Sequence, residues 1–262
     1  METGLKQRVA LIAGASQGLG RATALAFAAE GVHLALCARN RTALAQLASE
    51  IHERYQVPVH TETLDVRNSA AISRFIDNTV RKFDRVDICV PNAGGPPAKP
   101  FLETTDEEWD DAYQLNLRSA AVLARGVIPH MQRRKWGRIV IISSIAVKQP
   151  QPQLILSNAI RTGIIGLVRS LANDFGKDGI LVNDVAPGYT ATDRLKELSA
   201  HRASTLGLTE DAVEKQWTDQ IPVGRLGRPE EVADAIVWLA SERASFITGQ
   251  TILVDGGMYK GL

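Results

Sequence analysis

Two side chains in one helical stretch have types and a spacing that limit the chemistry they can perform. Ser157 and Arg161 lie four residues apart, and that spacing puts both on one helix face. A guanidinium with a pKa above about 12 does not readily release a proton, and a serine hydroxyl is a much poorer acid than a phenol of pKa about 10. The pair can donate hydrogen bonds and hold positive charge, but it offers no acid–base group.

A glycine-rich segment near the amino terminus indicates a phosphate-binding turn. It lies between the first predicted strand and the first predicted helix. Glycines at such a junction let the backbone turn tightly and approach a pyrophosphate at the helix amino terminus, although ordinary tight turns also produce the pattern. The residues predicted to bind a dinucleotide here are Gly14, Ser16, Gln17, Gly18, Leu19 and Gly20.

The end of the second predicted strand favours one dinucleotide over the other. An acidic residue at this place would accept hydrogen bonds from the ribose 2′-hydroxyl of NAD. The chain has Ala38-Arg39-Asn40-Arg41 instead, with two guanidiniums and no carboxylate. Because arginine binds phosphate in a bidentate manner, the segment favours the 2′-phosphate of NADP(H) over NAD(H). The alternative is that Arg39 and Arg41 only solvate a loop.

Short β-branched runs alternate with longer helical patterns along the chain, and this alternation predicts an α/β protein with a doubly wound parallel sheet and helices on both faces. We expect one domain over 1–262. An insertion from Tyr189 to Pro229, with helical patterns at Arg194–Thr205 and Thr209–Gln220, interrupts the alternation and is expected to form a substrate lid over 189–228. Strands are predicted at Arg8–Ala13, His33–Ala38, Val59–Leu64, Asp87–Val90, Arg138–Ser143, Leu181–Val185 and Thr251–Val254, and further helices near 19–30, 41–54, 69–83, 106–134, 154–176 and 229–240.

Composition excludes several classes of partner. The 262 residues carry a formal net charge of +1, which gives no electrostatic reason to bind nucleic acid or a membrane surface. No run approaches the roughly 18 apolar residues of a membrane span, and no signal-peptide core precedes the first strand. The five histidines are scattered, so no metal site is expected. Cys37 and Cys89 fall in apolar runs and are expected to be buried. These features together predict a cytoplasmic protein.

Further motifs, in order, resemble the short-chain dehydrogenase/reductase family over nearly the whole chain, and the set similar to 3-oxoacyl-[acyl-carrier-protein] reductases most of all. The resemblance implies a Rossmann-type seven-stranded sheet, an NADP-dependent oxidoreductase and a homotetramer. Ala13 departs from it, since the family usually has threonine there. Two matching motifs are implied to contact the cofactor: Asp65-Val66 at the adenine, and Pro187-Gly188 with Thr192 at the nicotinamide and pyrophosphate. Asn116 is implied to lie in the active site. The other matching motifs are Asn92-Ala93-Gly94 in the turn after the fourth strand and Asp255-Gly256-Gly257 near the carboxyl terminus.

The same resemblance exposes a departure in the active site. Ser144 stands at the family's serine, which polarises the substrate carbonyl, and Asn116 stands at the asparagine that holds a water in the proton relay. Positions 157 and 161 are normally tyrosine and lysine, the proton donor and the group that binds the nicotinamide ribose. Here they are Ser157 and Arg161, and none of the four tyrosines lies on the 154–176 helix. Arg161 is expected to take the place of the lysine by donating hydrogen bonds to the hydroxyls of the nicotinamide ribose.

Three interpretations of this departure compete. In the favoured one, the chain remains a reductase acting on a small to medium, partly apolar carbonyl or alcohol, and a group other than Ser157 supplies the proton. Lys148 is the nearest titratable candidate, unless it is only a solvated loop lysine, and Tyr189 is the second, unless it only packs against the nicotinamide. The others are an NADP-binding sensor or scaffold without turnover, and a non-redox lyase or isomerase.

The two long predicted helices, 106–134 and 154–176, carry more apolar positions than one sheet face needs. The family usually pairs these helices between subunits. A homotetramer, or at least a dimer, is therefore expected through them.

Overall fold

A computed structural model describes residues 2–262 and contains one sheet of seven parallel strands. The strand order is β3-β2-β1-β4-β5-β6-β7, with β1 pairing with β2 on one side and β4 on the other. The chain therefore reverses its direction of winding at β1 and β4, where open α/β sheets place a ligand crevice. The strands are β1 (Val9–Ala13), β2 (His33–Ala38), β3 (Val59–Thr63), β4 (Ile88–Val90), β5 (Gly137–Ile142), β6 (Ile180–Pro187) and β7 (Thr251–Val254).

Helices cover both faces of this sheet, so the predicted doubly wound class is confirmed. One face holds a core built from α1, α2 and α9, and the other holds a core built from α3, α5 and α6. The described helices are α1 (Gly18–Ala29), α2 (Arg41–Tyr55), α3 (Ser69–Phe83), α4 (Asp106–Tyr113), α5 (Ser119–Arg134), α6 (Ile155–Phe175), α7 (Asp193–Leu206), α8 (Glu210–Thr218) and α9 (Pro229–Ala240).

The helix predicted over 106–134 contains a break that periodicity does not reveal. A turn of π-helix, Gln114–Arg118, separates α4 from α5 and carries Asn116. Such turns occur often at functional sites because they re-aim one side chain out of the helical register. At the far end, Lys135 takes the left-handed conformation, with φ of 50°, and ends the helix. The strand β5 begins two residues later, at Gly137.

The segment between β6 and α9 forms two helices, close to the two predicted patterns. Here α7 and α8 bury a small apolar cluster of their own, made of Leu195, Ala203, Val213 and Trp217. Tyr189 packs against this cluster from the end of β6. The two helices therefore have a local core, separate from the two cores that flank the sheet.

One described stretch, Ile155–Asp178, which includes α6, is long and apolar enough to cross a membrane by length and composition alone, and 33% of its apolar window is buried. This differs from the expectation that no run approaches such a span. Ile164, Val168 and Ala172 of α6 belong to the core beside the sheet. The helix therefore serves as a core helix whose outer face is left uncovered.

Candidate active site

A cleft of about 700 Å³ opens at the carboxyl ends of the strands where the winding reverses. Its floor is the glycine turn after β1, in which Gly14 and Gly18 take φ values of 60° and 53°, a region that favours glycine. A side chain at Gly20 would collide with the Gly14 carbonyl and the Asn92 amide. The turn is therefore compact enough for another group to approach its backbone closely.

The amino terminus of α1 is open to an anion. Gln17, at the N-cap position, makes no side-chain capping bond, and the first turn contains no acidic residue. The first amides of a helix have no partner within the helix and carry partial positive charge. Ser16, Gln17, Gly18 and Leu19 all line the cleft beside these amides.

The adenosine end of the cleft contains some of the predicted residues but not all. Arg39 is exposed and lines it. Asn40 also lines it, but its side chain caps α2 by accepting from the Ala43 amide at 3.0 Å. Arg41 begins α2 and lies outside the lining. The cation available to the cleft at the end of β2 is therefore Arg39.

Asp65 and Val66 line the cleft opposite. The Arg67 guanidinium donates to the Asp65 carboxylate at 2.8 Å, and the Arg67 amide donates to it at 2.9 Å. These bonds hold the Asp65 pKa below its ordinary value. Asp65 is therefore ionised at neutral pH and fixed in place.

Asn92 joins the turn after β4 to the glycine turn. Its amide donates to the Ala13 and Gly14 carbonyls, both at 3.2 Å. Ala93 and Gly94 continue along the cleft wall. The two chain segments that flank the switch point are thus held in one rigid unit.

Asn116 has an unused polar atom. Its amide donates to the Gly94 carbonyl at 2.8 Å, while its buried Oδ1 has no hydrogen-bond partner among residues 2–262. Buried acceptors usually have a partner. This atom can accept a hydrogen bond from a water, as the family resemblance implies.

A second cavity of about 160 Å³ adjoins the cleft, and Leu19, Gly95, Thr192 and Arg194 line both. It brings together residues that are distant in sequence. Among its lining residues are Ser143, Ser144, Ser157, Arg161, Pro187, Gly188 and Tyr189.

Two serines, Ser144 and Ser157, line this second cavity. The Ser144 oxygen accepts from the Ala146 amide at 3.2 Å, which leaves its proton free to be donated. Ser157 is buried, with 7% of its surface exposed. Ser144 can therefore donate a hydrogen bond into this cavity, and its role at a substrate carbonyl stays a prediction.

Arg161 is buried and holds the ends of two strands together. Its guanidinium donates to the Ser143 carbonyl at 3.2 Å and to the carbonyls of Ala93 and Gly94 at 3.3 and 3.1 Å. Burial lowers its pKa to about 10, so it remains a cation at neutral pH. Much of its donor capacity is thus committed to the backbone, which the sequence did not reveal.

The two candidate proton donors differ in position. Lys148 is exposed and lies outside the lining of the second cavity. Tyr189 lines that cavity, but its hydroxyl donates to the Gln151 side chain at 3.0 Å and its ring stacks on Trp217 at 4.8 Å. Burial raises the Tyr189 pKa, which makes it a weaker acid. Neither side chain therefore takes the place that a tyrosine at position 157 of α6 would have.

Sequence reasoning missed Asp184 and Arg194. Asp184 is a completely buried carboxylate in β6, and a single acid within the predicted strand Leu181–Val185 was the signal that could have found it. Arg194 lies in the first turn of α7 and lines both cavities. It had been counted only as the start of a helical pattern.

Comparisons with known proteins agree with this architecture. Residues 14–259 match the family model described as enoyl-(acyl carrier protein) reductase. The 3-oxoacyl-[acyl-carrier-protein] reductase of Aquifex aeolicus is 32% identical over 99% of this chain and 100% of its own length. The Escherichia coli protein of the same name is 35% identical over 96% of this chain and 97% of its own.

Solved structures of two reductases have the same fold as this chain. L-Sorbose reductase from Gluconobacter frateurii, complexed with NADPH and L-sorbose, superimposes with a TM-score of 0.95, at 32% identity and complete coverage of both chains. YwfH, an NADPH-dependent reductase involved in bacilysin biosynthesis, has a TM-score of 0.93 at 26% identity, covering 98% of this chain and 100% of its own.

The fold and these matches define an oxidoreductase of the nucleotide-binding α/β class. The chain belongs to the short-chain dehydrogenase/reductase family, with 3-oxoacyl-[acyl-carrier-protein] reductases among its relatives, as its motifs indicated. The roles of its individual site residues stay predictions.

Proposed function

We propose that the protein is an NADP(H)-dependent oxidoreductase that interconverts a carbonyl and a secondary alcohol on a small to medium, partly apolar substrate. One observation carries the proposal: a small cavity containing the Ser144 hydroxyl adjoins a cleft that has the open helix terminus of α1 at its floor. A carbonyl in the first would lie beside a dinucleotide in the second.

The cleft has the features that NADP(H) requires. The compact turn at Gly20 and the uncapped start of α1 fit a pyrophosphate. Arg39, with no carboxylate at the end of β2, fits the 2′-phosphate. The bound cofactor would supply or accept a hydride. NADPH is also the ligand of the solved L-sorbose reductase.

The protein's own residues would orient and polarise the substrate. Ser144 would donate a hydrogen bond to the carbonyl oxygen and polarise it. Arg161 would hold positive charge at the cavity wall and keep the turn after β4 in contact with the end of β5. The buried oxygen of Asn116 would hold a water. Ser157 is too weak an acid to replace a phenol, so the proton would come from another group.

The second cavity, which would hold the substrate and is called the substrate cavity below, suits a partly apolar substrate of modest size. Apolar side chains from three segments form much of its wall, together with the hydroxyls already described. Among these apolar residues are Pro96, Ile145, Leu154, Leu195 and Leu198. Because Leu195 and Leu198 belong to α7, the segment 189–228 would act as a lid whose closure completes this wall.

A non-catalytic NADP-binding role is the second candidate. The observation that favours it is the commitment of Arg161 to three backbone carbonyls, which suits a structural cation as well as a catalytic one. The sequence equally leaves room for a non-redox lyase or isomerase that works without a phenol.

The protein would assemble as a homotetramer, or at least a dimer, through α4, α5 and α6. The uncovered outer face of α6 supports this, since only 33% of its apolar stretch is buried within one chain. Light scattering checks it: a stable species of 28.4 kDa would contradict the assembly.

A panel of ketones, aldehydes and secondary alcohols, assayed with NADP(H) and NAD(H) by absorbance at the nicotinamide band, tests the function. Turnover with NADP(H) supports the reductase. Tight NADPH binding without turnover of any carbonyl or alcohol would contradict the reductase and favour the non-catalytic NADP-binding role. Conversion of a substrate without net redox change would favour the lyase or isomerase.

A further inference from the structure

A carboxylic acid lies directly beneath the substrate cavity. Asp184 of β6 has no exposed surface. Its Oδ2 accepts a hydrogen bond from the Ser143 hydroxyl at 2.8 Å. Its Oδ1 has no hydrogen-bond partner of normal geometry among the described residues, although the Thr251 hydroxyl of β7 lies close enough to favour the ionised form. A buried carboxylate with an unused oxygen is costly, so its retention calls for a reason.

The sheet register explains how this acid reaches the site. Ile141 of β5 pairs with Asp184, and Ser143, two residues further on, points to the same face of the sheet. That face packs against α6, which carries Ser157 and Arg161. Ser143 also lines the substrate cavity with Ser144, Ser157 and Arg161. One hydroxyl therefore separates the buried acid from the cavity.

The charges around Asp184 permit it to exist in both protonation states. Arg161 of α6 is the charged group whose field acts on it, while β5 and β7 contribute the hydroxyls of Ser143 and Thr251. Arg194 of α7 acts in turn on Arg161. Burial outweighs these stabilising contacts and raises the Asp184 pKa from 3.8 to about 6. The group can therefore be loaded with a proton near neutrality and remain near a cation after losing it.

We propose that Asp184 and Ser143 replace the missing tyrosine as the proton source: Asp184 holds the proton, and Ser143 passes it to the substrate oxygen. Asp184 acts through Ser143 and does not itself line the cavity, so it is a positioning and proton-holding residue. The proposal rests on the reductase function stated above.

The step balances without another reagent. A bound reduced nicotinamide cofactor would supply a hydride, with its two electrons, to the carbonyl carbon. When Asp184 is protonated, its carboxylic O–H donates to the Ser143 oxygen, which frees the Ser143 proton to turn toward the cavity. The carbonyl oxygen then takes the proton of the Ser143 hydroxyl, directly or through a water, and the Ser143 oxygen takes the carboxylic proton of Asp184. The products are the alcohol, the oxidised cofactor and an ionised Asp184 near Arg161, and solvent restores the proton through the cavity.

This arrangement fixes the sign of the pH dependence. Reduction requires protonated Asp184, so its kcat falls about tenfold per pH unit above about 6. Alcohol oxidation requires the carboxylate, so its kcat rises with pH over the same range. A tyrosine donor such as Tyr189, whose pKa is raised by burial from its ordinary value, would place both changes in the alkaline range.

The decisive test compares Asp184→Asn and Ser143→Ala with the wild type and with Asp77→Asn, which removes an exposed carboxylate on α3. We expect a loss of about 100-fold or more in kcat in both site variants, within the usual contribution of general acid catalysis. We also expect NADPH affinity to stay within about threefold and the change near pH 6 to disappear in Asp184→Asn. The Asp77→Asn profile should match the wild type.

A folded Asp184→Asn that keeps the wild-type pH profile would overturn the proposal, as would a Ser143→Ala enzyme with undiminished kcat. Rescue of the Asp184→Asn pH profile by Asp184→Glu would support it, because a purely structural role would not restore a titration.

A cofactor-free measurement separates this proposal from the proposed function. Infrared difference spectra of the wild type minus Asp184→Asn, recorded from pH 4 to 8, should show a carboxylic acid band that disappears with a midpoint near 6. If this band is absent at every pH above 5, the proton-holding role is contradicted, even in an active reductase. A clear band in a protein that turns over no carbonyl would instead contradict the reductase and, with it, the role in proton delivery.

Discussion

Arg194, in the first turn of α7, donates a hydrogen bond to the carbonyl of Pro96 at 2.7 Å. This bond joins the segment proposed as a lid to the loop that follows β4, at the boundary between the two cavities. The same guanidinium lies against Gly95. The contact therefore keeps α7 closed against the loop after β4 at the place where the two cavities meet.

Replacing Arg194 with glutamine is expected to loosen that closure. A hydrogen bond from a charged donor contributes about 1.5–3 kcal/mol, so KM for the substrate should rise about tenfold or more. Amide hydrogen exchange over 193–218 should become faster in the same variant. Glu197→Gln is the matched control, because it removes only the exposed partner of Arg194 at 3.3 Å. Unchanged exchange and KM in Arg194→Gln would show that the contact does not hold the lid.

Arg39→Ala should weaken NADP(H) binding and spare NAD(H). The loss should be about 10- to 100-fold, the scale of a charge-assisted phosphate contact. Arg41→Ala, at a residue outside the cleft lining, should change either affinity little. Fluorescence titration of the reduced cofactors measures both. Equal or tighter binding of NADH by the wild type would contradict the assignment of NADP.

Gly20→Ala tests the compactness of the glycine turn. The added methyl would collide with the Gly14 carbonyl and the Asn92 amide, so cofactor binding should be lost and the melting temperature lowered. Gly176→Ala, just after α6, provides the control, since nothing lies within 4 Å of its added methyl and its φ of −57° suits alanine. Cofactor binding by Gly20→Ala at wild-type affinity would rule out the close approach.

The stability of the protein should depend on pH through Asp184. Its pKa is raised from 3.8 to about 6 by burial, so the stability that it contributes in acid is lost as the pH rises through 6. The shift of roughly two units corresponds to about 3 kcal/mol. Asp184→Asn should therefore unfold at higher denaturant than the wild type at pH 7.5 and at nearly the same denaturant at pH 4. A constant difference across this range would show that Asp184 does not titrate as described.

The fold could be predicted because its signals are local. Alternating strands and helices and the glycine turn before α1 depend on neighbouring residues, and the structure contains both features. The cleft was predictable for the same reason, since its residues follow successive strands whose ends meet at one edge of the sheet.

The inner details of the site depend on contacts between distant segments and could not be predicted in that way. Arg161 was expected at a ribose, yet three carbonyls from two strand ends hold its guanidinium. Lys148 follows Ser144 closely in sequence, but it is exposed and outside the cavity. Asp184 became relevant only once the register of β5 and β6 placed it against Ser143.

The central claim is that a reductase operates here without an acid at position 157. Its most direct test is the kcat of NADPH-dependent carbonyl reduction by the wild type and by Ser157→Ala, with NADPH affinity measured alongside. We predict turnover by the wild type and retention of most of it by Ser157→Ala. Loss of turnover in Ser157→Ala with NADPH binding intact would contradict the claim.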